Sequence, residues 1–367
     1  MQILLTSIAV MAAVSAVLSV LLVLADRYLN SYGPCKININ DGTQVLEVQG
    51  GESLLGSLGA NKIFIPSACG GRGSCGLCKL TIKSGGGPVL PTEEPHLTLA
   101  EIKENVRLSC QVKVREDMVI EIPDELFSVK EFEGTVENLE ELTYDIKLVR
   151  IRLNDPETVD IVPGQYMQLE CPPYKMSAEA VYRAYSIATD PEDKRHVDLL
   201  IRLVPDGICT TWVFEHLKEG DKVRMNGPYG DFRLHDGEGE MIFIAGGSGM
   251  APFRSMLTHM AQTQNPRKTR FFFGAQTRKD LFYVEDMKEF ESKLPDFKFI
   301  PALSNAAEDD QWDGETGLIT DVVAAHYEDC SDKQAYLCGS PGMCNACVKV
   351  LGDKGLTEDN VYFDKFA

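Results

Sequence analysis

Three cysteines and four glycines crowd into the stretch ACGGRGSCGLC at residues 68–78, and an isolated Cys110 follows in RLSCQV. Cys75 and Cys78 are too near each other in the chain to form a disulfide in an ordinary loop without strain. Structural zinc sites usually combine two well-separated pairs of cysteines, whereas this segment offers three thiols in one loop. The segment therefore predicts a loop that holds its sulfurs around a bound group.

The spacing Cys69-x5-Cys75-x2-Cys78 with a distant Cys110 predicts a [2Fe-2S] cluster. It is one residue longer in its first gap than the plant-type ferredoxin pattern and is otherwise the same. A loop around inorganic sulfides needs inward-turned backbone N–H groups with no Cβ in the way, which glycine permits. The glycines available for this are Gly70, Gly71, Gly73 and Gly76. Zinc and unligated thiols are the remaining alternatives.

Length and charge narrow the class of protein. The 367 residues exceed one typical domain and suggest two or three. A net charge of -19 at pH 7 argues against nucleic acid as a partner, because its phosphates need a basic surface. The eleven cysteines do not suggest a secreted scaffold, since four are assigned to the cluster and the others are scattered. We therefore expect the soluble part to face the cytoplasm.

The N-terminal residues 3–25, ILLTSIAVMAAVSAVLSVLLVLA, carry no charged side chain. At about 1.5 Å per residue, a helix of this length crosses a hydrocarbon core of about 30 Å. A cleaved signal peptide would have a basic start and a shorter apolar run. Arg27 and Lys36 follow the segment while no basic residue precedes it, so the positive-inside bias places the rest of the chain in the cytoplasm. The prediction is a single-pass anchor at residues 1–26 in the inner membrane.

The remaining chain predicts a multidomain protein with α+β and α/β parts. Residues 34–126 contain short alternating strands around the cysteine loop, which suits a β-grasp ferredoxin domain. Residues 127–235 contain regularly spaced β segments and one helical segment, which favours an antiparallel β-barrel. Residues 236–367 repeat a strand-turn-helix pattern, which indicates a parallel sheet with covering helices.

Two segments of the predicted barrel carry groups suited to a flavin nucleotide. In RAYS, at residues 183–186, the arginine can pair with a diphosphate, the tyrosine ring can stack on an isoalloxazine, and the serine hydroxyl can hydrogen-bond flavin N5. GICTTW, at residues 207–212, opens a helical segment whose free N–H groups can bind an anion. A simple N-cap by Thr210 is the alternative function of that segment.

Glycine turns at three predicted strand ends suggest a nucleotide site. The turn GGSGMAP, at residues 246–252, follows the strand MIFIA but lacks the full G-x-G-x-x-G fingerprint. Gly274 and the run Cys338-Gly339-Ser340-Pro341 end two further strands. Ligands of open α/β sheets bind at the carboxyl ends of the strands, so we expect these segments to meet there.

The tail repeats the cluster spacing as Cys338-x5-Cys344-x2-Cys347. Cys338 ends a predicted strand, however, while Cys344 and Cys347 fall one turn apart on a predicted helix without a glycine-rich loop. Free cysteine packs as a small apolar residue, so we predict helix packing and no second cluster.

The order of these motifs resembles the F subunits of the sodium-translocating NADH:quinone oxidoreductases. The resemblance covers essentially the whole chain and is carried by SACGGRGSCGLCKLTIKSGGG, LSCQV, RAYS, GMAPFRS, FYVEDM and the C-terminal YFDKFA. More distantly, the two C-terminal domains are similar to ferredoxin-NADP reductases. The resemblance implies that the chain binds a [2Fe-2S] cluster and FAD and that its substrate is NADH.

The same resemblance assigns roles to individual residues. Ser186, Tyr185 and Cys338 would act at the reacting atoms, with Cys338 near the nicotinamide, and the cluster ligands would be Cys69, Cys75, Cys78 and Cys110. The FAD contacts would be Arg183, Ala184, Tyr185, Ser186, Gly207, Cys209, Thr210, Thr211 and Phe366. The NADH contacts would be Gly246, Gly247, Ser248, Gly249, Met250, Ala251, Pro252, Gly274, Gly339, Ser340 and Pro341.

The expected function is that of a membrane-anchored NADH dehydrogenase component that passes electrons from NADH through FAD and the cluster to a membrane acceptor, with other membrane subunits as partners. One alternative is the soluble reductase component of a multicomponent oxygenase. Another is a membrane-tethered ferredoxin that carries electrons without being an enzyme.

Overall fold

The computed structural model describes residues 11–21, 32–123, 126–127, 129–307 and 311–366. The chain divides into two compact units. The first holds residues 1–65 and 71–128, and the second holds residues 66–70 and 129–367.

The first unit is built on a five-stranded mixed sheet in the order β2-β1-β5-β3-β4. Only the β1–β5 pair is parallel, and a compact apolar core lies against the sheet. In β1 every second residue is buried, because successive side chains of a strand point to opposite faces. The elements are β1 (Pro34–Ile39), β2 (Gln44–Gln49), α2 (Leu54–Ala60), β3 (Lys79–Ser84), α3 (Leu99–Lys103), β4 (Val106–Leu108) and β5 (Met118–Glu121).

The second unit begins with a six-stranded antiparallel sheet in the order β10-β7-β6-β11-β8-β9. An isolated bridge between Ile187 and Leu199 joins its outer strands, so the sheet curls into the predicted barrel. The elements are β6 (Lys130–Glu141), β7 (Ile146–Asp155), β8 (Tyr166–Cys171), β9 (Val181–Ser186), β10 (His196–Arg202), α4 (Ile208–Glu215) and β11 (Lys222–Tyr229).

The second unit ends with a six-stranded parallel sheet in the order β15-β14-β13-β12-β16-β17. Five of the six residues of β12 are buried, as expected for a parallel strand covered on both faces. The elements are β12 (Met241–Gly246), α5 (Met250–Gln262), β13 (Thr269–Ala275), α6 (Val284–Lys293), β14 (Phe297–Leu303), β15 (Glu315–Thr316), α7 (Ile319–His326), β16 (Gln334–Gly339), α8 (Pro341–Asp353) and β17 (Val361–Lys365).

The barrel and the parallel sheet share one apolar core. Ile146, Ala188 and Phe232 of the barrel part pack in the same cluster as Phe243 of β12 and Phe253 of α5. The barrel interior forms a second cluster, and the other face of the parallel sheet forms a third. Side chains at the ends of β9, β12 and β16 are therefore held by continuous packing.

The predicted membrane anchor is described only in part. Residues 11–21 form a helix (α1) with exposed side chains, whereas residues 1–10 and 22–26 lie outside the described residues. Within the part of the chain that is described, no helix combines the length and the apolar character that a bilayer crossing needs.

Candidate active site

A hydrogen bond between the barrel and the parallel sheet marks the centre of the site. Ser186, the last residue of β9, is buried, and its Oγ donates to Oδ2 of Asp364 in β17 at 2.8 Å. Burial raises the pKa of Asp364, and the hydrogen bond from Ser186 partly offsets this. The two groups are 178 positions apart in the chain, so only the tertiary fold brings them together.

Cys338 lies beside this pair. It is fully buried near the end of β16, and Asp364 is its register partner on the parallel strand β17. Burial raises the pKa of the Cys338 thiol, and the neighbouring Asp364 carboxylate raises it further. Cys338 therefore stays protonated at neutral pH and can shape the site without acting as a nucleophile.

The C-terminal aromatic residue is fixed by the same strand end. The backbone N–H of Phe366 donates to the carbonyl oxygen of Gly339 at 2.9 Å, and its ring packs against the core shared by the barrel and the parallel sheet. The tail thus follows β16 past its carboxyl end, where Ser186, Asp364 and Cys338 meet.

The glycine turn after β12 passes directly against the end of β16. A Cβ on Gly249 would lie 2.3 Å from the Cys338 carbonyl oxygen, so only glycine allows the approach. Gly247 has a φ of +58°, a backbone conformation that favours glycine. Helix α5 then begins at Met250, and its first residues, Met250, Ala251 and Pro252, are buried.

The other residues predicted to bind the nucleotide lie around the start of α8 and near the end of β13. Ser340 is the N-cap, and its hydroxyl accepts a hydrogen bond from the Met343 N–H at 3.4 Å, while Pro341 occupies the first turn. A Cβ on Gly246 would lie 3.1 Å from the Met343 sulfur, and one on Gly339 would lie 2.9 Å from its methyl carbon. A Cβ on Gly274, near the end of β13, would lie 3.1 Å from Cβ of Ile319 in α7. The predicted strand ends thus lie at one edge of the sheet.

The side chains of Arg183 and Tyr185 in β9 differ in their hydrogen bonds. The Arg183 Nη1 donates to the Tyr182 carbonyl oxygen at 2.8 Å. The Tyr185 hydroxyl is buried and has no hydrogen-bond partner among the described residues. A buried polar atom without a partner is rare in native proteins and is expected where a bound molecule supplies the missing contact. Ala184 lies between the two and is paired with Gln168 of β8.

The predicted anion site lies at the start of α4. Gly207 is the N-cap, and a Cβ there would lie 2.5 Å from Oγ1 of Thr210. The Thr211 N–H donates to the Gly207 carbonyl oxygen at 2.9 Å. The alternative in which Thr210 is the N-cap is wrong, because Thr210 lies inside the helix and its hydroxyl accepts from the Val204 N–H at 3.2 Å. Cys209 is buried in the same first turn.

The cysteine loop has the backbone that its glycines predicted. Gly70, Gly71, Gly73 and Gly76 all have positive φ values, from 64° to 86°. Cys78 is buried, and its pKa is raised, first by the hydrogen bond it shares with Cys110 and then by burial. Among the described residues, no group of three or more His, Cys, Asp or Glu side chains is arranged to hold a metal ion. The assignment of all four cysteines as ligands thus stays a prediction.

The tail cysteines behave as packing residues. Cys338 is the second-last residue of β16, while Cys344 and Cys347 lie on α8, and all three are fully buried. Both helical thiols pack in the core beneath the parallel sheet, which agrees with the interpretation that their spacing does not mark a second cluster.

A cavity of about 560 Å³ lies elsewhere, beside the amino-terminal ends of β12 and β13. It is lined by mixed charges, including Glu240, Lys268 and Arg270, and by none of the predicted site residues.

Family models match the three parts of the chain in order. A 2Fe-2S iron-sulfur cluster binding domain matches residues 37–115, an oxidoreductase FAD-binding domain matches residues 133–234, and an oxidoreductase NAD-binding domain matches residues 243–349. These matches confirm the predicted set of an iron-sulfur cluster, FAD and a nicotinamide nucleotide.

The chain is also similar to curated proteins over its full length. It is 38% identical to the F subunit of the Na(+)-translocating NADH-quinone reductase of Pseudomonas aeruginosa, with 98% of each chain covered. It is 36% identical to the F subunit of the Neisseria gonorrhoeae enzyme, with 95% of this chain and 96% of that one covered. The chain belongs to this family of F subunits. The predicted resemblance is therefore confirmed.

Solved structures share the three-part architecture. An Amycolatopsis cytochrome P450 reductase superposes with a TM-score of 0.71 at 26% identity and covers 90% of this chain and 98% of its own. A ferredoxin reductase in carbazole 1,9a-dioxygenase superposes with a TM-score of 0.70 at 27% identity and covers 91% and 98%.

Sequence reasoning missed Asp364 as a site residue of this family member. The signal was present, because Asp364 is the acidic residue of YFDKFA, two positions before the terminal aromatic Phe366. What could not be seen was the parallel pairing of β17 with β16, which places Asp364 beside Cys338.

Proposed function

We propose that this chain is the electron-input component of a sodium-translocating NADH:quinone oxidoreductase. The observation that carries the proposal is the 2.8 Å hydrogen bond between Ser186 of the barrel and Asp364 of the parallel sheet, beside Cys338. This bond joins the end of β9, in the barrel that would bind the flavin, to β17, in the sheet that would bind the nucleotide. Hydride transfer needs the nicotinamide carbon and the flavin nitrogen held in near contact. The two rings would meet where β9 and β17 come together.

The residues of the barrel fit FAD. The unpartnered hydroxyl of Tyr185 is available to a bound ligand, and the Tyr185 ring can stack on an isoalloxazine. The first N–H groups of α4 and the Thr211 hydroxyl suit a diphosphate, which Arg183 would neutralise. Ser186 would then direct its hydroxyl at flavin N5, and Phe366 would cover the ring. When bound, FAD accepts a hydride from NADH and releases electrons singly to an iron-sulfur acceptor.

The residues of the parallel sheet fit NADH. The turn at residues 246–252 would carry the nucleotide diphosphate, because it precedes the start of α5 at the carboxyl edge of the sheet. Cys338 would lie under the nicotinamide, where a neutral thiol excludes water without reacting. Gly274, Gly339, Ser340 and Pro341 would border the same pocket. Asp364 would orient Ser186 and hold a proton near the reacting atoms.

The cysteine loop fits a [2Fe-2S] cluster held by Cys69, Cys75, Cys78 and Cys110. Four glycines with positive φ let the loop backbone turn tightly, and metal binding would displace the proton that the raised pKa of Cys78 otherwise retains.

Residues 3–25 would anchor the chain in the inner membrane, with the catalytic domains in the cytoplasm and other membrane subunits as partners. The exposed helix at residues 11–21 supports an anchor, because apolar side chains such as Met11, Val14 and Val17 are more than half exposed. Replacing Val14→Arg should cost about 2.5–3.5 kcal/mol of insertion free energy. Carbonate extraction of membranes should retain the native chain and release more of the variant, and equal retention would refute the anchor.

The runner-up function is the reductase component of an oxygenase. The similarity to a reductase of a carbazole dioxygenase system over 91% of this chain favours it. Identity to that protein is lower than to the F-subunit relatives, and its name indicates a different acceptor. Identification of proteins that co-purify with the intact chain separates the two: membrane subunits support our proposal, and a soluble oxygenase or ferredoxin supports the runner-up.

The test of the hydride site is the Ser186→Ala variant. Losing a hydrogen bond to a charged group costs about 1.5–3 kcal/mol, which is about a 10- to 150-fold fall in the rate of flavin bleaching by NADH under anaerobic conditions. The matched control is Ser292→Ala, because the Ser292 hydroxyl is exposed and bonds only to the Glu289 carbonyl oxygen. Equal rates in both variants would refute the assignment.

A further inference from the structure

Two cysteines of the barrel meet beside the proposed flavin tyrosine. Cys171 is the last residue of β8, Cys209 lies in the first turn of α4, and their side chains are 0% and 2% exposed. They are free thiols, and neither belongs to the proposed cluster.

Each thiol contacts a backbone carbonyl oxygen that lies next to the other cysteine. The Cys171 Sγ lies 3.9 Å from the carbonyl oxygen of Ile208, the residue before Cys209. The Cys209 Sγ lies 4.0 Å from the carbonyl oxygen of Val181, which is the register partner of Cys171 across β8 and β9. The two thiols are therefore neighbours, and both pack in the apolar interior of the barrel.

The two thiols differ in reactivity. The neighbouring Cys209 lowers the pKa of Cys171, and the positive charge of Arg183 lowers it further against the effect of burial. The pKa of Cys209 is raised by Cys171 and by burial. Cys171 is thus the more readily ionised thiol of the two.

A cavity of about 320 Å³ is lined by chain neighbours of both cysteines, although by neither cysteine itself. Its lining includes Glu170 and Pro172, which flank Cys171 in the chain, and Trp212, which lies one turn after Cys209.

We propose that Cys171 and Cys209 are an oxidisable dithiol that hydrogen peroxide converts to a disulfide beside Tyr185. The Cys171 thiolate attacks one peroxide oxygen, the O–O bond breaks, and the leaving hydroxide takes a proton to become water. The Cys209 sulfur then displaces the oxygen of the Cys171 sulfenic acid, which leaves as a second water, and the S–S bond forms. Two electrons pass from the thiols to one peroxide, which is the usual order of thiol oxidation.

The site bears on the proposed flavin contacts because Cys209 precedes Thr210 and Thr211, and it does not depend on the proposed electron path. A disulfide needs an S–S distance of about 2.05 Å, so closure draws the start of α4 toward β8. A transient disulfide of this kind is compatible with a reducing cytoplasm.

The chain contains its own control pair. Cys344 and Cys347 are equally buried, but they lie three residues apart on α8, where Cβ atoms are about 5–6 Å apart and too far for an unstrained disulfide. Burial raises the pKa of Cys344 to about 11 and that of Cys347 to about 12, so neither is a thiolate at neutral pH.

The experiment treats the full-length holoprotein with hydrogen peroxide, blocks remaining thiols with an alkylating agent, and maps the peptides by mass spectrometry. We expect a Cys171–Cys209 cross-linked peptide that dithiothreitol removes, with Cys344 and Cys347 recovered as alkylated thiols. The Cys171→Ser variant should lose the cross-link and leave Cys209 alkylated after unfolding. Alkylated Cys171 and Cys209 in peroxide-treated native protein, or oxidation of all four cysteines at one rate, would overturn the proposal.

Discussion

Removing one carboxylate of the first unit should unfold the cluster domain before the rest of the chain. Glu93 is completely buried, and its oxygens accept from the Arg107 guanidinium at 2.5–3.2 Å and from the Leu108 and Leu90 N–H groups at 2.9 Å. Arg107 is also held by three carbonyl oxygens, of Gly86, Gly87 and Pro88. The pair thus clamps the loop after β3 to β4, which leads to Cys110.

Breaking a buried ion pair from one side costs about 3–5 kcal/mol, because the remaining charge stays buried without its partner. With a urea m-value of about 1.5 kcal/mol/M, Glu93→Ala should lower the unfolding midpoint of this unit by about 2–3 M. The surface control is Glu47→Ala, whose side chain is 75% exposed and lies 3.6 Å from Lys36, and it should change stability by less than about 1 kcal/mol.

The assay follows the visible circular dichroism of the cluster during urea unfolding and, in the same samples, the fluorescence of FAD. We expect Glu93→Ala to move the first signal and leave the second unchanged, because the two units unfold about their own cores. If Glu93→Ala loses its cluster during purification, the stability of the first unit in the wild-type protein is measured as a function of pH instead. Equal midpoints for Glu93→Ala and Glu47→Ala would refute the reasoning.

The pH dependence has a definite sign. Burial works to raise the pKa of Glu93, but the hydrogen bonds from Arg107 and from the two backbone N–H groups outweigh it, so the pKa is lowered below its ordinary 4.5. Folding therefore gains stability from the ionised carboxylate above the unfolded pKa, and this gain is lost as the pH falls through the folded pKa. The ion pair is complete at pH 7 and should weaken only as the pH falls below the ordinary pKa of 4.5.

Three further predictions concern variants of the second unit. Gly249→Ala should destabilise it by about 1–3 kcal/mol in thermal unfolding, since the new Cβ would lie 2.3 Å from the Cys338 carbonyl oxygen, whereas Gly342→Ala meets no atom within 4 Å and should not. Asp364→Asn should remove one titration from the pH profile of flavin bleaching, and an unchanged profile would contradict the role of that carboxyl. Ser186→Ala should shift the same titration to higher pH, because the Ser186 hydroxyl lowers the Asp364 pKa; a shift to lower pH would contradict it.

Local signals in the sequence were sufficient for much of the fold. The spacing of Cys69, Cys75 and Cys78 with its glycines predicted the loop backbone, and the alternation of strands and helices after residue 236 predicted the parallel sheet. These features depend on residues close together in the chain, whose backbone preferences and burial periodicity are visible directly.

What the sequence could not reveal were contacts between distant segments. Asp364 meets Ser186 only because β17 pairs with β16, and β16 packs next to β12 at the centre of the sheet. Cys171 and Cys209 meet only because α4 packs on β8. The order of strands in a sheet is a property of the whole core, so no local pattern of residues encodes such pairs.

The central claim is that one chain carries electrons from NADH through FAD to its own iron-sulfur cluster. The most direct measurement mixes the full-length holoprotein with NADH under anaerobic conditions, follows the flavin absorbance, and freezes samples for electron paramagnetic resonance. We predict that the flavin bleaches first and that the paramagnetic signal of the reduced cluster then appears. A bleached flavin beside a cluster that stays oxidised would contradict the account.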